Sequence, residues 1–161
     1  MNWKMQSLAL AMGLAIAGAA APATRKPPPL TKPAYEAQKA KIDAGYDADR
    51  KLCDGLKGQK QDVCEAEAKG RQAALKAELE AKYKPSPQAE QKAKNVTADA
   101  NFDVAKTKCQ AFKDKAKDHC IKDAKAAREA AIRQAKVEKI QETGGPFASS
   151  SAHRVVKGND S

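Results

Sequence analysis

Four cysteines at two equal spacings limit what this chain can fold into. Cys53 and Cys64 lie eleven residues apart, as do Cys109 and Cys120, and the two pairs are offset by 56 residues. Shifting the chain by that offset overlays two copies of one unit. Between residues 43 and 74, ten of thirty-two positions are identical, among them Asp43 with Asp99, Asp47 with Asp103, Lys57 with Lys113, Asp62 with Asp118 and Ala68 with Ala124. Tyr46 with Phe102 and Leu56 with Phe112 add conservative pairs. The chain is an internal duplication in which each copy carries its own cysteine pair.

Both copies are built from Ala, Lys, Glu, Gln, Asp and Arg with almost no β-branched runs, a composition that favours helix. The expected fold class is all-α: two tandem disulfide-clamped helical hairpins forming an antiparallel bundle or a coiled-coil-like array. Pro85-Ser86-Pro87 divides the copies, because proline cannot continue a helix and biases its predecessor to extended geometry. The expected segments are a signal peptide at 1–23, a Pro-rich leader at 24–34, helical repeats at 35–84 and 88–142 around a linker at 85–87, and a disordered tail at 143–161. Aromatics make up only 4% of the chain, so the core must be thin. Tyr46, Phe102, Leu56 and Phe112 are read as core because the repeat pairs them.

Eleven residues on one straight helix span about 16.5 Å, whereas a disulfide needs Cα atoms roughly 4.4–6.8 Å apart. The chain must either turn between the cysteines of each unit or pair them elsewhere. In the turning arrangement it reverses near Gly58 and near Asp114-Lys115, Gly55 and Gly58 help end the first helix, and Asp62 and Asp118 sit near the start of the returning helices, where a carboxylate suits the dipole and capping. This arrangement is the expectation. The rival has two long antiparallel helices with Cys53 paired to Cys120 and Cys64 to Cys109, and Cys53–Cys109 with Cys64–Cys120 would fit parallel packing.

The first residues place Lys4 before an apolar run from Leu8 to Ala21 with small residues at its end, the pattern of a cleaved export signal. About fourteen residues is too short to span a bilayer, so no transmembrane anchor is expected in the mature chain. Export places the cysteines in an oxidising compartment, periplasmic or extracellular, where an even count is read first as disulfides. Removing 1–23 deletes only Lys4 among charged side chains, so the chain stays strongly basic from its net charge of +10.

The stretches from Tyr46 to Cys64 and from Lys106 to Cys120 resemble a group of uncharacterised exported proteobacterial proteins with paired cysteines in Ala/Lys-rich repeats, often labelled TolA-like cell-envelope proteins. The resemblance covers about two thirds of the chain and implies an envelope location. It supplies no catalytic residues.

The sequence holds no glycine-rich phosphate loop and no serine-triad pattern, and no enzymatic role is expected. His119 beside Cys120 suggests metal or a Cys-His nucleophile, but zinc ligands are usually separated by two to four intervening residues, against ten between these cysteines, and adjacent residues point to different helix faces. Neither metal nor cofactor is expected; redox or metal chemistry is the remoter alternative. The basic charge fits a solvated helix face with interspersed acids. If it forms a dedicated polyanion patch, that patch lies at Lys106, Lys108, Lys113, Lys115, Lys117, Lys122 and Lys125. Scarce aromatics argue against specific nucleic-acid recognition. The expected function is therefore structural or binding, toward an unidentified envelope partner. The alternative is direct binding of anionic envelope polymers or lipids.

Overall fold

The computed structural model describes residues 28–145. The signal segment, most of the Pro-rich leader and the tail from 146 onward lie outside the described residues. Within them the chain forms α1 (Lys32–Cys53), α2 (Gln59–Tyr83), α3 (Pro87–Cys109) and α4 (Asp114–Thr143). Disulfides join Cys53 to Cys64 and Cys109 to Cys120, with Cα separations of 5.6 and 5.7 Å. The chain turns inside each cysteine pair, and both cross-unit pairings are excluded.

Helix boundaries follow from capping. The Thr31 hydroxyl accepts from Ala34 N and Pro33 sits in the first turn of α1, so that helix begins inside the expected leader. Ser86 caps α3 by accepting from Ala89 N at 3.0 Å, and Pro87 opens that helix rather than closing the linker. Proline suits a first turn because its missing N–H would have no partner there.

The two disulfide turns repeat each other at the backbone. Leu56 N donates to Cys53 O in one and Phe112 N to Cys109 O in the other. Gly58 has φ +58°, and Asp114, its repeat equivalent, has φ +48°. The glycine expected as a helix end therefore acts one step later: Asp54 closes α1 in right-handed geometry and Gly58 precedes α2. Aspartate tolerates the left-handed region better than β-branched residues do. Gly58→Val should accordingly cost about 1–2 kcal/mol and Gly58→Asp less than half of that, a ranking that urea unfolding will test. Asp62 lies in the first turn of α2, but neither α2 nor α4 receives a side-chain cap.

Each helix packs on its neighbour in sequence, and among the described residues no other helix pair shares an extensive interface. The arrangement is an open antiparallel row rather than a closed bundle. Contacts between α1 and α2 show the direction: Cys53 meets Cys64, Asp49 meets Arg71, Asp43 meets Gln72 and Lys76, and Tyr35 meets Glu80. As the position in α1 recedes, its partner in α2 advances.

Small residues hold the row together. Ala66, Gly70, Ala73 and Ala81 of α2 turn toward α3, and a Cβ built on Gly70 would lie 3.2 Å from Ala100 Cβ. Close approach lets backbones contribute dispersion contacts that a chain short of large side chains could not otherwise make. Gly70→Leu should push α3 away and cost roughly 1–3 kcal/mol, read as a lower midpoint in urea. Among the described residues the buried apolar set is alanine, cystine and a single leucine: Ala68, Ala81, Ala93, Ala98 and Ala135, Cys53 and Cys109, and Leu79. Leu56 and Phe112, expected in the core, are instead exposed at 38% and 51%, because both fall in the turns. Tyr46 and Phe102 are half-buried.

Candidate functional site

Two surfaces stand out from the row, one at each end. Between α2 and α4, with α3 as floor, runs an open groove of about 860 Å³. Its floor is Glu90, Ala93, Lys94, Thr97, Ala98 and Asn101, and one wall is Ala131, Gln134, Ala135 and Glu138. These recur every three or four residues, the spacing of a single helix face. Ala81 of α2 and Pro85 of the linker, with Leu30 and Pro28, complete the other wall. Leu30 N donates to Lys82 O and Tyr35 stacks on Tyr83 at 4.4 Å, which holds the start of the chain against this end.

Polar clamps fix the helices around the groove. Asp99 Oδ1 accepts from Arg128 Nε at 2.5 Å, and the equivalent Asp43 accepts from Gln72 at 2.8 Å, so one identity of the duplication does the same work twice. Lys94 bridges α3 to α4 through Glu138. The hydrogen bond from Lys94, reinforced by Gln134, holds the Glu138 carboxyl below the usual carboxylate range, and Lys76 does the same for Asp43. A carboxylate depressed in the folded state stabilises at neutral pH and loses that contribution as pH falls through its folded value. At the other extreme the Tyr35 hydroxyl, donating to Glu80, is pushed up to about 12.

The opposite end carries both disulfide turns, because α1 and α3 run toward it and α2 and α4 run away. Gln59 Nε2 ties the turns together by donating to Thr107 O at 3.2 Å and Lys108 O at 3.0 Å, carbonyls in the last turn of α3 that also accept from the backbone of Gln110 and Ala111. The seven lysines singled out by the sequence are divided here. Lys106 and Lys108 end α3, Lys113 is in the turn, and Lys115, Lys117, Lys122 and Lys125 follow on α4. Helical geometry puts Lys117 about 160° from Lys115, and it is half-buried while Lys115, Lys122 and Lys125 are exposed. Among the described residues Lys108 alone of the seven is ion-paired, to Glu67 at 2.7 Å.

All four cysteines are oxidised, so Cys120 presents no thiol to His119, which pairs instead with Asp123 at 2.9 Å on the surface. Among the described residues no three His, Cys, Asp or Glu side chains converge as a metal site, and no helix is long and apolar enough to cross a membrane. The groove was missed in the sequence because its lining is alanine interspersed with charged and polar side chains, which reads as helix propensity rather than as a surface. The paired stripes 90-93-97-101 and 131-135-138 were its available signal. Compared with protein-family models, curated proteins and solved structures, the chain matches none.

Proposed function

We propose that this chain is a non-enzymatic, exported helical-repeat protein with a binding or scaffolding role in the cell envelope, in line with its resemblance to the TolA-like paired-cysteine group. The observation that carries the reading is the open groove: α2, α3 and α4 line it together, and no fourth helix among the described residues covers it. Three helices arranged in this way offer a partner helix the seat that a four-helix bundle fills internally. Ala81, Ala131 and Ala135 in the walls leave room for large apolar side chains from the partner, and Glu78 and Lys82 of α2 set its register. The disulfides support an oxidising location.

A photo-crosslinking residue at Asn101 in the groove, compared with one at Lys125 on the outer face of α4, tests this in cells. A discrete adduct at Asn101 alone, in the periplasmic fraction, is the expected result. No adduct there, or equal adducts at both positions, counts against the groove.

A second reading, direct binding of anionic envelope polymers or lipids, is favoured by the end that carries the disulfide turns. There the cations of both copies gather.

A further inference from the structure

From the disulfide-bearing end we infer that the protein docks end-on to an anionic phospholipid bilayer, inserting Leu52, Leu56 and Phe112 among the headgroups. The inference rests on the second reading above and commits it to a surface and a partner.

A chain so poor in large apolar side chains leaves three of them in solvent at one end. Leu52 is 74% exposed, Phe112 51% and Leu56 38%. Leu56 and Phe112 are repeat equivalents in turns of matching backbone, so the exposure is built into the unit rather than accidental to one copy. Each turn is clamped by a disulfide whose first cysteine, Cys53 or Cys109, is fully buried. Gln59 locks one turn to the other, so the apolar residues cannot fold back into the array.

Charge selects the partner. Lys51, Lys57, Lys60, Lys106, Lys113 and Lys115 lie in or within a few residues of the two turns and are all exposed, and they outnumber the carboxylates of the same stretches, Asp54, Asp62, Asp114 and Asp118. Apolar tips ringed by cations match a headgroup interface, where lysines meet anionic lipid and the apolar side chains reach the acyl boundary. A dissolved polyanion would engage the lysines but gives Leu52, Leu56 and Phe112 nothing to enter.

The test is vesicle flotation of the oxidised protein purified from the periplasmic fraction. The chain has one tryptophan, Trp3, inside the expected signal, so Phe112→Trp in a Trp3→Phe background reports on the turn alone. Vesicles of equimolar phosphatidylcholine and phosphatidylglycerol should carry the protein upward and shift that emission to the blue, whereas phosphatidylcholine alone should do neither. Leu52→Ser/Leu56→Ser/Phe112→Ser keeps every charge and should weaken partitioning at least roughly tenfold with helicity unchanged by circular dichroism. Lys57→Glu/Lys113→Glu should also weaken it, more at low salt than at high.

Unchanged partitioning of the triple variant, or no blue shift on vesicles that bind, overturns insertion but leaves a cationic binder. Retention on immobilised polyphosphate without vesicle binding overturns the lipid assignment and also leaves the cationic reading standing. Binding to neither removes both.

Discussion

Replacing Cys53, Cys64, Cys109 and Cys120 with alanine should abolish the cooperative helical fold at 37 °C. Each disulfide closes a loop of about a dozen residues, for which the chain-entropy estimate is roughly 2.5–3 kcal/mol, and two give about 5–6. That is comparable to the whole stability of a modest domain. This row has only one large side chain, Leu79, in its buried set, so the remaining packing leaves little in reserve. Far-UV circular dichroism during heating, with and without reductant, measures the effect. A melting temperature unchanged by reduction would mean that alanine packing alone holds the helices. Removing one pair at a time should cost about half as much and leave a folded row at 25 °C.

Leu79→Ala is expected to cost about 2–4 kcal/mol and to act first on α1. Ala68, Gln72, Lys76 and Leu79 recur on one face of α2, and Gln72 and Lys76 of that face bond Asp43 in α1. Leu79 is 3% exposed and is the largest apolar group on the stripe. Because α1 packs extensively on α2 alone, it has no second neighbour to retain it when the stripe loses volume. Hydrogen exchange should show α1 amides losing protection before those of α3 and α4. Uniform loss across all helices would show instead that the row opens as one unit. The repeat equivalent of Leu79 is Ala135, also buried, so α4 already holds to α3 without such a side chain. Asp99 with Arg128 and Lys94 with Glu138 compensate there.

Much of this architecture was legible in the sequence. The eleven-residue spacing cannot be bridged along a straight helix, and the Pro85 to Pro87 break required a turn between the copies. What misled was taking repeat equivalence as a sign of burial. Leu56 and Phe112 do match each other, but as exposed turn residues. Tyr46 and Phe102 are only half-buried. The groove gave no hydropathy signal, since its lining mixes alanines with Glu90, Lys94, Asn101 and Glu138, and these meet only when three helices bring them together.

The sequence by itself determined the repeat and its helices; it also favoured, without settling, the pairing of cysteines within each unit, since these follow from composition, local turn chemistry and the short reach of a disulfide. Only the tertiary structure decided which helix faces are packed. On α2 the shielded positions toward α3 are Ala66, Gly70 and Ala81; at the equivalent positions α4 carries Lys122, Ala126 and Val137, all exposed. Those three positions are alike in repeat register and differ because α2 has a neighbour on that side and α4 ends the row. Burial belongs to the neighbours a residue acquires, and no comparison of one copy with the other contains that information.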